Sequence, residues 1–208
     1  MPRPAPGTPI PRVHRLLTMA IAADGPRQRY YVAPNEEHEN TANVSRPKDV
    51  PDSEIPYNPR YTTAPNYGMI NWSDLFTSRQ LTMLTTIIDL LHEARQHILS
   101  DGADLEYADA ISLYLAFSIS KIADNSSSLC VWMYMPSKEG TAHTFARAAI
   151  PMVWDYAEGN PFRPGPCDYG ESCFGLAEHL TDFLIRTSTR AAQIRQTLRR
   201  LATATFWL

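Results

Sequence analysis

The sequence predicts a mainly α fold with minor β structure, in which an antiparallel helical hairpin follows an irregular N-terminal region. Two observations predict this class. Apolar residues recur every three or four positions in two successive stretches, which is the spacing of amphipathic helices. The 17 prolines of the 208-residue chain are concentrated in its first third and around residues 151 to 166, so those parts are expected to be extended or looped. The hydrophobic content of 44% is sufficient for a sizeable core.

Residues 1 to 66 are polar and rich in proline, and they predict a mostly irregular leader. Short β-prone runs predict one strand over residues 28 to 33 and another near residues 16 to 22. The N-terminus has no apolar core of a signal peptide, and no run approaches the length of a membrane span. We therefore expect a cytoplasmic protein without a membrane partner.

The first helix of the hairpin has a sharp predicted start. Thr77 and Gln80 have the spacing of a capping box, so the helix should begin near Ser78. Residues 100 to 102, Ser-Asp-Gly, should end it. The predicted buried stripe consists of Leu81, Leu84, Ile88, Leu91, Arg95 and Ile98, and the polar face carries Asp89, Glu93 and Gln96.

A second helix should follow almost at once. Asp104 and Glu106 would lie near its positive end, where acidic side chains are favourable. Its predicted stripe, which runs up to Asp124 and Asn125, consists of Leu105, Ala108, Ile111, Leu115, Ile119 and Ile122. Because the connection is so short, the two helices should pack antiparallel.

The C-terminal half predicts mixed structure. The run SSSLCVWMYM, residues 126 to 135, is β-prone, and residues 144 to 158 are expected to form a helix bent by Pro151. Residues 175 to 198 again have helical spacing. Three regions result: the leader at 1 to 66, a helical region at 67 to 166, and a helical tail at 167 to 208.

Charge and composition restrict the possible functions. The net charge is −3 and the pI about 6.1, so the whole chain has no basic field that would hold nucleic acid, and any DNA contact must be local. A basic stripe occurs only in the tail. It is more typical of a solvated helix face than of a phosphate-binding one, and it comprises Arg186, Arg190, Arg195, Arg199 and Arg200.

No catalytic or metal constellation is present in the sequence. Cys130, Cys167 and Cys173 are an odd number without a Cys-x-x-Cys pair, and His92 and His97 are five apart, a poor spacing for one ion on a helix. Glycine-rich phosphate loops and nucleophile elbows are also absent from the sequence. We therefore expect no catalytic, cofactor-binding or metal residues in this chain.

The tripeptide Asn160-Pro161-Phe162 has two interpretations. It approaches the acidic-or-amide, Pro-Pro-aromatic loop with which amino-methyltransferases grip an amine, although one proline is missing. It is also an ordinary turn that ends a helix, which is the more common meaning.

Several runs, in order, resemble a known family. They are GPRQRYYVAPNEEHENTA, IPYNPRYTTAPNYG, PNYGMINWSDLFTSRQL, EYADAISLYLAFSISKIADNSSSLCVW and HTFARAAIPMVWDYAEGNPF. These runs are similar to the large prokaryotic adenine-specific DNA methylases that carry a zinc ribbon and begin with a domain of unknown function. The resemblance covers roughly residues 13 to 166, and beyond Pro166 it fades.

The resemblance implies a role in methyl transfer from S-adenosylmethionine to the N6 amine of adenine in DNA. In such enzymes the cofactor loop and zinc-ribbon cysteines precede the region matched here, and the acidic-Pro-Pro-Tyr loop follows it. The expectation is a central fragment or insertion of an α/β methyltransferase, inactive alone, whose partners are DNA and the remaining parts of the enzyme. The alternative is a free-standing helical module that binds a protein partner.

Candidate contact residues lie in the most aromatic part of the chain. Aromatic rings beside a cation or an amide suit a nucleic-acid surface, and the candidates for such contacts, or for core packing, are Trp132, His143, Arg147, Trp154 and Asn160. Trp154 is more simply explained as a core residue, because Ile150, Val153 and Ala157 are its neighbours. On the predicted helix, His143 and Arg147 could instead pair with Asp155 or Glu158.

Overall fold

The computed structural model describes residues 21–24, 29–58, 60–135, 138–162 and 167–185. Within these ranges the chain is mainly helical with minor β structure, which confirms the predicted class. Three of its helices pack side by side: α2 (Ser78–Ser100), α3 (Leu105–Asn125) and α4 (Tyr169–Ile185). None of the described helices is both long and apolar enough to cross a membrane.

The N-terminal part contains a small hairpin and a short helix. Strand β1 (Ile21–Asp24) pairs antiparallel with β2 (Arg29–Val32). The prediction of a strand at 28 to 33 is confirmed, whereas β1 shares only residues 21 and 22 with the strand predicted at 16 to 22, whose first five residues lie outside the described ranges. Helix α1 (Glu36–Ala42) was not predicted. It buries no residue, so it has no apolar stripe for a pattern to reveal.

Helix α2 begins and ends as predicted. The Thr77 hydroxyl accepts from the Gln80 amide at 3.2 Å, and the Gln80 side-chain oxygen accepts from the Thr77 amide at 2.8 Å, which completes the capping box. At the other end Gly102 adopts φ 89°, the left-handed conformation that glycine tolerates best. The Gly102 and Ala103 amides then donate to the Leu99 and Ile98 carbonyls, a Schellman ending.

Helices α2 and α3 pack antiparallel, as predicted. Near the start of α2, Leu84 and Ile87 pack with Ile119 and Ile122 near the end of α3. At the opposite end, a second cluster joins the end of α2 to the start of α3 and to α4, and it consists of Ile98, Ala108, Ile111 and Ala177.

Two positions of the predicted stripes are wrong. Ile88 is 42% exposed, and the buried residue at that level is Ile87. Both isoleucines satisfy a three-or-four repeat between Leu84 and Leu91, so spacing alone could not choose between them. Leu105 is 58% exposed because it is the first residue of α3 and precedes the turn that packs on α2. Arg95, also placed on the stripe, pairs with Asp109 of α3 at 2.7 Å.

Residues 144 to 158 do not form the predicted helix. Their backbone amides bind elsewhere: the Phe145 amide donates to the Asp124 carboxylate, the Ile150 amide to the Tyr61 carbonyl and the Ala157 amide to the Cys130 carbonyl. These tertiary bonds hold the amides in an irregular path, and Pro151 has no amide to contribute to a helix.

The remaining elements are a second hairpin and helix α4. Strands β3 (Trp132–Met135) and β4 (Lys138–Thr141) form an antiparallel hairpin, so the end of the predicted β-prone run is a strand. Helix α4 begins at Tyr169, six residues before the predicted start at 175, and its predicted extension beyond Ile185 lies outside the described residues. A core below the irregular segment consists of Ile55, Ala64, Met69, Leu75, Leu129 and Ile150.

Candidate nucleic-acid interface

Aromatic side chains from two distant segments form two ring pairs. The Ile150 amide donates to the Tyr61 carbonyl at 2.7 Å, which aligns residues 61 to 72 with residues 145 to 154. The ring of Tyr67 meets Trp154 edge-on, with centroids 5.4 Å apart, and Trp72 lies 6.5 Å from Phe145. We call these two ring pairs, Tyr67 with Trp154 and Trp72 with Phe145, the aromatic surface.

The aromatic surface is partly open to solvent. Trp154 is 70% exposed and Phe145 46%, whereas Tyr67 and Trp72 are half-buried, and Trp72 packs against the core. The exposed Arg147 lies in the same segment as Trp154. The expectation that Trp154 belongs to the core is therefore wrong. Without a helix over this segment, Ile150 turns inward to 8% exposure while Trp154 turns outward.

His143 is held by the end of helix α3. Its Nδ1 lies 2.7 Å from an Asp124 carboxylate oxygen, and the other oxygen accepts from the Phe145 amide at 2.8 Å. Asp124 thereby fixes the start of the segment that carries Phe145 and Arg147. The pairing of His143 with Asp155 or Glu158 is not observed, because no helix aligns these residues, and Glu158 instead binds Arg79.

Trp132 and Asn160 occupy other places. Trp132 is the first residue of β3 and is 38% exposed. The Asn160 carboxamide oxygen accepts from the Phe162 amide at 2.9 Å, as in the turn expected for Asn-Pro. Asn160 also lines a cavity of about 250 Å³ between the start of α2 and residues 158 to 162.

One side of this cavity is built by an ion pair. The Arg79 guanidinium binds both carboxylate oxygens of Glu158 at 2.9 Å, and its third nitrogen donates to the Ala42 carbonyl. Such a two-point contact fixes the direction of both side chains. The Thr77 hydroxyl also donates to Glu158 at 2.9 Å, so residue 158 is tied to the helix start.

Close backbone packing holds the next residue. A Cβ atom at Gly159 would overlap the Sγ of the buried Cys167, so only glycine fits there without movement. The Cys167 thiol in turn lies 3.2 Å from the Thr141 hydroxyl and donates to the Asn125 carbonyl. Gly159 thus anchors the cavity wall against the end of α3.

The cysteines and histidines form no metal site in the described part of the chain. Cys130, Cys167 and Cys173 are free thiols, and no group of three metal-ligating side chains occurs among the described residues. His92 and His97 are exposed on α2. Burial raises the pKa of the Cys173 thiol above its ordinary value, and burial together with the neighbouring Cys173 raises the pKa of Tyr169.

Sequence reasoning missed the buried polar residues beside the cavity. Gln80 and Ser126 are 4% and 1% exposed, although serine and glutamine are usually found at the surface. For Gln80 the sequence did carry a signal, which is the capping box. A capping box uses the side-chain oxygen of its last residue at the helix start, so this side chain is held against the protein and not free in solvent. The burial of Ser126 depends on contacts distant in sequence, which no local pattern carries.

Comparisons of the chain with protein-family models, with curated proteins and with solved structures gave no match. Within its described residues the protein is a three-helix body with an irregular aromatic segment. The open rings and the adjacent arginine make that segment the candidate interface.

Proposed function

We propose that this chain is the central part of an adenine-specific (N6) DNA methyltransferase, inactive alone, that contributes DNA contacts to the complete enzyme. The aromatic surface is the observation that carries the proposal. It joins the run that contains Tyr67 and Trp72 to the run that contains Phe145 and Trp154, and both runs belong to the resemblance with adenine-specific DNA methylases.

Further contacts connect the same runs. The Ser128 hydroxyl and amide both donate to the Leu75 carbonyl at 2.8 Å, and Arg79 binds Glu158. Asp124 binds residues 143 to 145. These hydrogen bonds and ion pairs join runs that lie far apart in sequence, so the runs form one structural unit. This supports a resemblance over a whole region and not over separate short motifs.

The chemistry of the surface suits nucleic acid. Exposed aromatic rings offer stacking partners for bases, worth about 1–3 kcal/mol per base, and a nearby arginine can bind a phosphate. Arg147 and Trp154 are the side chains that we assign to these two tasks. S-adenosylmethionine and the catalytic loop would be supplied by the remaining parts of the enzyme, since the sequence holds neither motif.

Reconstitution tests this function. The reading frames that flank this gene should encode the glycine-rich cofactor loop and the acidic-Pro-Pro-Tyr loop. Their products, expressed with this chain in a host without adenine methylation, should produce N6-methyladenine, and omission of this chain should abolish it. As a control, calorimetry of the chain alone should show no binding of S-adenosylmethionine. A micromolar dissociation constant, about −8 kcal/mol, would contradict the proposal.

A protein-interaction module is the second candidate, and exposed apolar residues on the hairpin favour it. Ile88 and Leu90 of α2 are 42% and 38% exposed, and Leu113 and Phe117 of α3 are 55% and 49% exposed. Flanking genes without methylase motifs, together with methylation that does not depend on this chain, would favour this second function.

A further inference from the structure

Helix α4 carries the chain toward the start of helix α3. Tyr169, at the beginning of α4, packs against the cluster that contains Ile122, near the end of α3. Ala177 packs in the cluster that contains Ala108, near the start of α3, so the two helices are antiparallel. Ile185, the last residue of α4, lies eight residues beyond Ala177, about 12 Å further in the same direction. The chain therefore continues from the end of the body at which α2 and α3 are joined.

An apolar ridge of α3 is exposed at this end of the body. Leu105 and Leu113 are 58% and 55% exposed. Asp109 lies midway between them, and residues four apart share one face of a helix, so the three form a ridge about 12 Å long. We call these three residues the α3 ridge. Phe117 follows on the same face, but its ring already meets Tyr114 at a centroid distance of 6.3 Å.

The surroundings of the α3 ridge are acidic. Residues 96 to 120 contain no lysine or arginine, and their four acidic residues are Asp101, Asp104, Glu106 and Asp109. All four are exposed. Asp104 caps the start of α3 and Asp109 pairs with Arg95. No cation among the described residues pairs with Asp101 or Glu106, so these two carboxylates can attract a basic segment.

The segment that follows α4 has the complementary composition. Residues 186 to 208, which lie outside the described residues, contain five arginines and no acidic residue, in a chain whose net charge is −3. Ile194, Leu198 and Leu201 follow one another at intervals of four and three, which is the spacing of an apolar helical face. The segment is also longer than the roughly eight helical residues that match the length of the α3 ridge.

We propose that residues 186 to 208 fold back and dock on the α3 ridge of the same chain. Arg186 and Arg190, which come first, would lie beside Asp101 and Glu106. The apolar residues that follow would cover the two leucines of the ridge. Because exposed ion pairs are weak, apolar burial would hold the segment and the charges would set its direction. The inference does not depend on the proposed role in DNA methylation.

Limited proteolysis of the full chain tests the docking. Trypsin cleaves after arginine only where the chain opens locally, so a docked segment should be cleaved slowly at 195, 199 and 200. Leu113→Asp places a charge in the ridge and should accelerate this cleavage roughly tenfold, because the rate follows the population of the open form. Leu90→Asp, at a 38% exposed position of α2, is the matched control and should leave the rate unchanged.

Two further arms test the charges and the contact itself. Glu106→Gln should accelerate the same cleavage by less than Leu113→Asp does, whereas Glu93→Gln, at an exposed position of α2, should not. Leu198→Asp in the full chain should shift the methyl signals of the two ridge leucines in NMR spectra. Those of Leu90 should stay in place. Thermal unfolding verifies that every variant keeps the fold.

Three outcomes would overturn the proposal. The first is an equal cleavage rate for Leu113→Asp and Leu90→Asp, which would leave the ridge to another partner. The second is that Leu198→Asp shifts neither ridge leucine. The third is cleavage that slows as the protein concentration rises, because the segment would then dock on a second copy and not on its own chain.

Discussion

At the scale of single residues, two glycines show how local packing decides what a position tolerates. Gly159 lies against the buried Cys167, where a Cβ atom would overlap Sγ, whereas Gly175 in α4 has no atom within 4 Å of a built Cβ. The same substitution should therefore have opposite effects at the two positions.

Gly159→Ala should destabilise the protein by about 1–3 kcal/mol, because the backbone or Cys167 must move to admit the methyl group. Gly175→Ala should stabilise it by about 0.5–1 kcal/mol, since alanine favours the helix and meets free space. Chemical denaturation of both variants measures this. Two changes of equal sign would show that the wall of the cavity is not packed as described.

Cys173 links stability to pH. Burial raises the pKa of its thiol in the folded state, so the unfolded chain ionises first as the pH rises through the ordinary value of about 9. The free energy of unfolding should therefore be constant below this range and fall above it. Cys173→Ser removes the titrating group and should make the decline shallower. Denaturation under reducing conditions between about pH 7 and 9.5 measures both slopes, and identical slopes would disprove the link.

At the scale of elements, the packing of α2 on α3 provides a test with adjacent residues. Ile87 is 6% exposed and packs with Ile119 and Ile122, while Ile88 is 42% exposed. Ile87→Ala should cost about 2–5 kcal/mol, as in other packed cores. Ile88→Ala should change stability by only about 0.5 kcal/mol. Urea denaturation compares them, and a larger effect at Ile88 would mean that the helix is rotated from the described orientation.

The helical hairpin could be predicted from sequence because its determinants are local. The capping box at Thr77, the glycine at 102 and two apolar repeats lie within their own helices, and all of them appear in the structure. Which of Ile87 and Ile88 is buried depends on where α3 packs, and the apolar repeat of α2 carries no information about that.

The segment from 144 to 158 could not be predicted for the opposite reason. Its amides donate to Asp124, Tyr61 and Cys130. Each of these partners lies more than 20 residues away along the chain. Its composition satisfies a helical repeat, but these distant bonds override that preference. Two of the candidate contact residues, Arg147 and Trp154, therefore lie on an irregular stretch and not on the predicted helix.

At the scale of the whole molecule, the end of helix α3 fixes the irregular segment that carries Phe145 and Trp154. Trp72 of the aromatic surface packs against the core that contains Met69, Leu75 and Ile150. A rigid support of this kind lowers the entropy lost when a partner binds. Because the net charge is −3, the proposed affinity for DNA would have to come from this local surface or from the tail arginines, which lie outside the described residues.

DNA binding by the full chain is the measurement that tests the proposed function most directly. Fluorescence anisotropy with a labelled duplex should give a dissociation constant of about 10⁻⁴ to 10⁻⁶ M that weakens steeply between about 50 and 200 mM salt. Replacing the five tail arginines by alanine should remove most of the salt dependence.

Two double variants test the location of the contact. One combines Arg147→Ala with Trp154→Ala on the aromatic surface, and the other combines Lys121→Ala with Phe117→Ala on the exposed face of α3.

Both double variants remove one positive charge and one exposed aromatic ring, so their effect on net charge is the same while the location differs. We predict that loss of Arg147 and Trp154 weakens binding at least tenfold, since stacking alone contributes about 1–3 kcal/mol per base. Loss of Lys121 and Phe117 should have little effect. Equal binding by the two double variants, or a full chain that binds no duplex at low salt, would contradict a DNA-contacting role for this surface.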